Sequence, residues 1–163
     1  MQQMNPALLS SDRMDWQTPE NVLALVREFA GGQIALDPCT TVDNPTGALR
    51  WLTPVEDGLS ALWHGQGLAF VNPPYGRELR SWARKMQGEG RFSSRAIIGL
   101  VPARTDTVWW QAHITSASAI CFWRGRIRFR GAPASAPFPS ALPYWGPNVR
   151  RFREVFGPYG WIP

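Results

Sequence analysis

Short runs of apolar residues alternate along the chain with segments in which apolar residues recur at helical spacing. The runs predict buried strands over 33–36, 50–53, 68–71, 96–101, 117–123 and 140–145. The helical spacing predicts helices that begin at Pro19, cover 79–86 and run through 108–112, with a single helical turn over 59–63. Because strands alternate with helices, the pattern predicts an α/β fold with a mostly parallel sheet.

The first helix and the last two strands carry clear boundary signals. Thr18 suits the N-cap and Pro19 the first helical position, while Gly31-Gly32 ends the helix. The strands 117–123 and 140–145 are joined by a basic, proline-rich loop without helical signal, which predicts a C-terminal antiparallel hairpin. The strands lack polar alternation, so we expect helices on both faces of the sheet.

The length of 163 residues and the apolar fraction of 44% favour one domain with a real core. We expect residues 1–14, which are polar and irregular, to form a flexible N-terminal arm and residues 15–163 to form this single domain. No apolar stretch approaches the roughly 20 residues that span a membrane. The first residues also lack the basic and then apolar pattern of a secretory signal. These features predict an intracellular protein without membrane contact.

The charge of the chain predicts its partner. The net charge is +5, and 16 of the 17 basic residues are arginine. Arginine matches phosphate geometry, which favours a polyanionic partner, although a GC-rich genome would also enrich arginine. The two cysteines and two histidines lack metal-ligand spacing, so no metal site is expected.

The most informative motif is the turn Asn72-Pro73-Pro74-Tyr75, which follows the apolar strand 68–71. The Asn72 side-chain carbonyl and the Pro73 backbone carbonyl could each accept one hydrogen of an exocyclic amine on a nucleobase. Two such acceptors would direct the lone pair of the amine at a methyl donor, and the prolines keep the turn rigid. Tyr75 could stack on a base flipped out of a duplex. The alternatives are an ordinary strand-ending turn and a proline-rich peptide ligand.

Acidic residues follow two other predicted strands. Asp37, in Asp37-Pro38-Cys39, could meet the ammonium group or a ribose hydroxyl of the donor, or it could serve as a turn cap. Glu56 and Asp57 could bind a ribose or lie in a solvated turn. A glycine-rich phosphate loop is absent from the sequence, which argues against an ordinary dinucleotide site.

Two sets of arginines near the predicted strand ends are candidates for contacts with DNA. Arg77 belongs with Arg80 and Arg84 to a basic face beside the Asn72 turn. Arg104 follows the strand 96–101 and could contact a phosphate or form an internal ion pair.

A second basic segment lies in the loop after the strand 117–123. It contains Arg124, Arg126, Arg128 and Arg130. Because these residues alternate, an extended segment would place all of them on one face, as a DNA-backbone contact or as a solvated edge. Phe129 could cover the second face of the flipped base, or it could pack in the core.

An ordered set of motifs makes the chain similar to a known family. The motifs are Asp15-Trp16-Gln17-Thr18-Pro19, Asp37-Pro38-Cys39-Thr40, Asp57-Gly58-Leu59, Asn72-Pro73-Pro74-Tyr75-Gly76-Arg77, Pro102-Ala103-Arg104-Thr105-Asp106-Thr107 and Ser135-Ala136-Pro137-Phe138-Pro139-Ser140. Over residues 14–146 the chain resembles the phage-type DNA N6-adenine methyltransferases, the Dam family of phages and prophages.

The resemblance implies a compact Rossmann-like methyltransferase that is adenine-specific and site-specific. It would act on double-stranded DNA in the bacterial cytoplasm, with S-adenosylmethionine as the methyl donor and without a metal or covalent intermediate. The implied catalytic residues are Asn72, Pro73, Pro74 and Tyr75. The implied donor contacts are Trp16, Thr18, Pro19, Asp37, Pro38, Cys39 and Asp57. The alternatives are methylation of cytosine N4, RNA adenine or protein glutamine, and an inactive DNA-binding module.

Overall fold

The computed structural model describes residues 16–163, and the predicted N-terminal arm over 1–14 lies outside this range. The described residues form a single sheet with helices packed against it. The helices are α1 (Glu20–Phe29), α2 (Leu79–Phe92), α3 (Val108–His113) and α4 (Val149–Phe156). The strands are β1 (Leu36–Asp37), β2 (Arg50–Trp51), β3 (Ala69–Val71), β4 (Ile97–Gly99), β5 (Val101–Pro102), β6 (Ala119–Trp123), β7 (Ser140–Trp145) and β8 (Gly160–Trp161).

The sheet has one parallel half and one antiparallel half. Its order is β2-β1-β3-β4-β7-β6-β8, and β5 also pairs with β7. The first four strands of this order run parallel, whereas β7 is antiparallel to β4, β5 and β6, and β8 is antiparallel to β6. The predicted mostly parallel sheet therefore describes one half of the observed one.

The predicted strands are found with changed bounds: β1 covers 36–37 rather than 33–36, and the predicted strand 96–101 is divided at Leu100 into β4 and β5. The strand over 140–145 has its predicted limits, and β6 pairs antiparallel with it. That pair does not end the fold, because α4 and β8 follow it. The single helical turn expected at 59–63 is replaced by a hydrogen-bonded turn over 58–60 and a bend at Ala61, and the fully buried Trp63 follows.

Helix α4 occupies an arginine-rich segment for which the sequence pattern predicts no helix or strand. The Asn148 side chain caps it by accepting a hydrogen bond from the Arg151 N–H at 3.1 Å. Phe152, Val155 and Phe156 bury one face of the helix against the sheet. Their spacing of three and four residues is the helical signal that the dense arginines obscured.

Helix α1 begins one residue later than predicted. Pro19, with an extended backbone, takes the N-cap position, and Glu20 is the first helical residue. Thr18 makes no capping hydrogen bond because its hydroxyl is used elsewhere, in the site described below.

Two apolar layers cover the sheet, one on each face. On one face α1 and α4 pack against residues such as Phe70, and on the other α2 and α3 pack against residues such as Val71. The predicted apolar face of α2 is confirmed, since its buried residues are Leu79, Trp82, Ala83 and Met86. Burial on both faces explains why the central strands are apolar without alternation. In residues 16–163 no helix is both long and apolar enough to cross a membrane.

Candidate active site

Two polar residues meet at one edge of the parallel half of the sheet. Asp37 is the last residue of β1, and Asn72 directly follows the last residue of β3. These strands are parallel neighbours with Leu36 level with Ala69, so their carboxyl ends lie side by side. Ligands of open α/β sheets bind beyond such strand ends.

The Asn72 amide is held by the chain segment that precedes α1. Its Nδ2 donates hydrogen bonds to the Trp16 carbonyl at 2.5 Å and to the Thr18 hydroxyl at 3.0 Å. Its Oδ1 is buried and has no hydrogen-bond partner among residues 16–163. Both N–H groups are therefore engaged, and the carbonyl oxygen remains available as an acceptor.

The rest of the turn is packed and rigid. Pro73 is buried, and Pro74 and Tyr75 are half-buried. The Tyr75 hydroxyl donates a hydrogen bond to the Leu100 carbonyl at 2.9 Å. Burial raises the pKa of Tyr75 well above its usual value, so the phenol stays protonated and able to donate.

An aromatic cluster surrounds Tyr75. The Tyr75 ring meets Phe138 and Phe129 edge to face, with centroid distances of 5.5 and 6.1 Å. The Trp16 ring contacts the same two phenylalanines, with centroid distances of 5.2 Å to Phe129 and 5.8 Å to Phe138. Arg104 lies over Phe138, 6.0 Å from the ring centroid.

The position of Phe129 decides between its two predicted roles. Its side chain is 1% exposed and packs against Trp16 and Tyr75, which is the core alternative. In this conformation it has no free face to offer a base, so its assignment as a DNA contact is corrected. Phe138 is half-buried in the same cluster and was not singled out, although it lies within the Ser135–Ser140 motif.

Asp37 organises the loop that follows β1. Its Oδ1 accepts a hydrogen bond from the Cys39 N–H at 3.1 Å, and its Oδ2 accepts one from the Thr46 hydroxyl at 2.8 Å. The side chain is 3% exposed, and this burial raises the pKa of Asp37 to about 6 despite the two donors. Thr46 was not predicted, because only the folded loop brings it to the carboxylate.

Cys39 has the chemistry of an inert thiol. Burial raises its pKa strongly, and the nearby Asp37 carboxylate adds to the shift. The thiolate is the nucleophilic form of cysteine, so the protein environment suppresses that reactivity. Cys39 and Cys121 are both free cysteines.

The turn that contains Asp57 lies against the loop after β1. A Cβ on Gly58 would clash with the Pro38 carbonyl oxygen and with the Trp82 ring, so only glycine fits there. Asp57 has a positive φ of 52° and accepts hydrogen bonds from the Leu59 N–H at 3.2 Å and the Ser60 hydroxyl at 2.6 Å. These hydrogen bonds lower its pKa and make Asp57 the cap of its own turn.

Glu56 is likewise occupied by its neighbours. It accepts hydrogen bonds from the Thr53 N–H at 2.7 Å and from the Thr53 hydroxyl at 2.6 Å. These contacts lower the pKa of the exposed Glu56. The structure thus gives both acids a local turn-forming contact, which was one of the two alternatives for them.

The candidate arginines are on the surface. Arg77, Arg104, Arg124, Arg126 and Arg128 are all exposed. The basic segment alternates as predicted, because Ile127 and Phe129 between the arginines are buried. Its end is fixed by a backbone bridge, in which the Arg130 N–H donates to the Gln17 carbonyl at 2.9 Å.

Two open clefts lie on other parts of the surface. One of about 880 Å³ runs along α2 and is lined by Leu62, Lys85 and Phe92, among others. The other, of about 520 Å³, borders the edge strand β2 and includes Trp51. Among residues 16–163 there is no group of three histidine, cysteine or acidic residues that could hold a metal ion.

A family model matches most of the chain. The family model described as DNA N-6-adenine-methyltransferase (Dam) matches residues 6–140, which include the Asn72 turn and the Asp37 loop. No curated protein matches the chain.

Proposed function

The chain belongs to the DNA N-6-adenine-methyltransferase (Dam) family and methylates N6 of adenine in DNA, and we propose that the Asn72–Tyr75 turn carries this reaction. The family implies S-adenosylmethionine as the methyl donor. The observation that carries the proposal is the buried Asn72 Oδ1, which lacks a hydrogen-bond partner within residues 16–163. A buried acceptor without a partner is costly in a folded protein, so its retention favours a role in binding.

The exocyclic amine of adenine is a poor nucleophile, because its lone pair is delocalised into the ring. Asn72 Oδ1 accepts one amine hydrogen, and the carbonyl of the buried Pro73 accepts the other. These contacts strengthen as positive charge develops on the nitrogen, so they stabilise the transition state more than the ground state. S-adenosylmethionine, when bound, supplies a methyl group on a positively charged sulfur. The methylated amine then releases its extra proton, and water suffices to take it.

The donor site that we propose lies between the ends of β1 and β3. The Asp37–Cys39 loop forms its wall. Asp57 lies next to this loop, because the neighbouring Gly58 packs closely against the Pro38 carbonyl. The Asp37 carboxylate has lone pairs beyond those used by Cys39 and Thr46, so it can also accept from the donor ammonium. The residues therefore fit the donor, and the order of the parallel strands supports a Rossmann-like arrangement.

The aromatic cluster supports a flipped base as the substrate. Tyr75 follows the two prolines and has Phe138 beside it at the edge of the cluster. A target adenine inside a double helix cannot reach Asn72 unless it leaves the stack, and an aromatic ring stabilises it afterwards. We propose that Tyr75 stacks on this base and that Phe138, rather than Phe129, borders it.

The exposed arginines supply the surface for the DNA backbone. Arg104 lies over Phe138 and thus next to the proposed base site. Arg126 and Arg128 project from the segment that ends at the Gln17–Arg130 bridge. Their charge attracts the phosphates of a duplex, independently of sequence.

The activity is tested by methyl transfer from labelled S-adenosylmethionine. We expect label in double-stranded DNA as N6-methyladenine, with less in the single strand and none in RNA or protein. Asn72→Ala should abolish detectable transfer and leave donor affinity, measured by calorimetry, within about twofold, because the amide acts mainly in the transition state. Full transfer by this variant would refute the proposed mechanism.

The DNA surface is tested by the salt dependence of binding. The double variant Arg126→Ala with Arg128→Ala should reduce the slope of log K against log salt by about 1.8, which is about 0.9 for each lost phosphate contact. Arg150→Ala is the matched control, since Arg150 is exposed on α4 and pairs with Glu154 at 3.0 Å. If the slope changed by the same amount in the double variant and in the control, this segment would be excluded from the interface.

A further inference from the structure

We propose that the segment Trp16–Thr18 sets which end of the Asn72 amide faces the substrate, with Thr18 as a positioning residue. This inference rests on the proposed function, because it concerns the acceptor that Asn72 offers to adenine. The sequence analysis connected Trp16 and Thr18 with the methyl donor. In the structure, both residues lie within hydrogen-bond distance of the Asn72 amide.

The need for such a device comes from the shape of the amide. The two ends of an asparagine side chain are nearly identical in size but opposite in hydrogen bonding. With Oδ1 toward the substrate, Asn72 accepts a hydrogen from the adenine amine. With Nδ2 in that place, it would present a second donor to an amine that also donates. A rotation of half a turn would therefore remove the proposed catalytic contact.

The Trp16 carbonyl selects the productive orientation. A backbone carbonyl can only accept, so at 2.5 Å it binds the NH₂ end and repels the oxygen end of Asn72. The Thr18 hydroxyl takes up the second N–H at 3.0 Å. Together they use both donors of the amide, and the only polar group left over is the buried Oδ1.

The segment itself is fixed from several sides. The carbonyl of Gln17, between the two acceptors, receives the Arg130 N–H at 2.9 Å. The Trp16 ring packs against Phe129 and Phe138. Thr18 is buried and leaves the cap of α1 to Pro19. A rigid pair of acceptors holds the amide before the substrate arrives, as preorganisation requires.

The test replaces the Thr18 hydroxyl and separates catalysis from donor binding. Thr18→Val keeps the shape and removes the acceptor, Thr18→Ala removes it without adding a methyl group, and Thr18→Ser keeps it. We expect kcat for DNA methylation to fall about tenfold in the first two variants and by less than about twofold in the third. The Kd for S-adenosylmethionine, from calorimetry, should stay within about twofold in all three. Thr115→Val is the control, since Thr115 is an exposed residue whose hydroxyl donates to the Gln111 carbonyl.

Three results would overturn the inference. Wild-type kcat in both Thr18→Val and Thr18→Ala would show that the second acceptor has no role. A raised donor Kd with full kcat at saturating donor would assign Thr18 to the donor site. Equal losses of kcat in all three variants, with a lowered melting temperature, would show that Thr18 contributes only packing. Asn72→Ala keeps this test apart from the proposed function, since a fully active Asn72→Ala variant would refute the catalytic role of Asn72 whatever the Thr18 variants do.

Discussion

Asp37 and Asn72 occupy equivalent places, each at the carboxyl end of a parallel strand, yet their side chains are used in opposite ways. Both Asp37 oxygens accept hydrogen bonds from the loop that follows, through the Cys39 N–H and the Thr46 hydroxyl. Asn72 has its two N–H groups engaged and its oxygen without a partner in the described part of the chain. Asp37 thus shapes the loop that follows it, whereas residues 16–163 leave the Asn72 oxygen free to accept a hydrogen bond from a substrate.

This difference shows how to separate structure from chemistry in two residues with the same topological position. The Asp37 carboxyl group holds the Cys39 N–H and the Thr46 hydroxyl, and its removal leaves both donors without this acceptor. The partly satisfied amide adds little to the folded state, because the cost of the lone oxygen offsets the gain from its two N–H contacts. We therefore expect truncation of Asp37 to reduce stability more than truncation of Asn72 does, and truncation of Asn72 to reduce activity more.

The largest effect is expected from truncating each residue in turn. Asn72→Ala should lower kcat by at least about 10²- to 10³-fold, the loss seen when one transition-state hydrogen bond is removed. Its free energy of unfolding should change by less than about 1 kcal/mol. Asp37→Ala should instead lower the free energy of unfolding by about 2 kcal/mol at pH 4, where the carboxyl group is protonated, because the Cys39 and Thr46 donors lose their acceptor.

The measurements are urea unfolding and methyl transfer at saturating donor on the same preparations. If Asn72→Ala proved the less stable variant and Asp37→Ala the less active one, the proposed division of roles would be reversed.

The next effect is a dependence of stability on pH that comes from Asp37. Its pKa of about 6 in the folded protein lies above the value near 3.9 of an unfolded chain. The folded state therefore holds its proton over a range in which the unfolded state has lost it. The corresponding stability is fully present below about pH 4 and is lost as the pH rises through 6, by about 3 kcal/mol in total.

Asp37→Asn isolates this contribution, since asparagine does not titrate there. Urea unfolding of both proteins between pH 4 and 7.5 should give a stability difference that shifts in favour of the variant as the pH rises. A difference that stays constant over this interval would mean that the Asp37 pKa is the same in the folded and unfolded states.

The smallest effect compares two threonines that serve the two sites. Thr46 donates to Asp37, whereas Thr18 accepts from Asn72. Thr46→Val should cost about 1.5 kcal/mol of stability at pH 7.5, where the carboxylate is charged, and less at pH 4. Its kcat at saturating donor should stay close to wild type, unlike that of Thr18→Val. The measurements are unfolding curves at the two pH values and one activity assay. A stability loss in Thr46→Val that is the same at both pH values would argue against a hydrogen bond to the carboxylate.

The sequence predicts those parts of the molecule that depend on local pattern. The apolar run before Asn72 and the spacing of Leu79, Trp82 and Met86 predict β3 and the buried face of α2, because burial needs only periodicity. The placement of Asp37 and Asn72 at one sheet edge follows from parallel pairing.

The remainder depends on contacts between distant segments. Thr18 is a residue type that favours the helix N-cap. Only the folded chain shows that its hydroxyl accepts a hydrogen bond from Asn72. Similarly, Phe129 lies among exposed arginines, and the alternation that exposes them turns its ring into the core. The arginine-rich segment over α4 shows no clear helical pattern in the sequence. In the structure, its two phenylalanines pack against the sheet.

The backbone bridge between Gln17 and Arg130 has a consequence for biosynthesis. It joins the start of the described chain to a loop that leaves the ribosome much later. Closing so long a loop is entropically unfavourable until the intervening sheet has formed. A nascent polypeptide that ends before this loop lacks the contacts that fix Trp16, so methylating capacity is acquired only after Arg130 has left the ribosome.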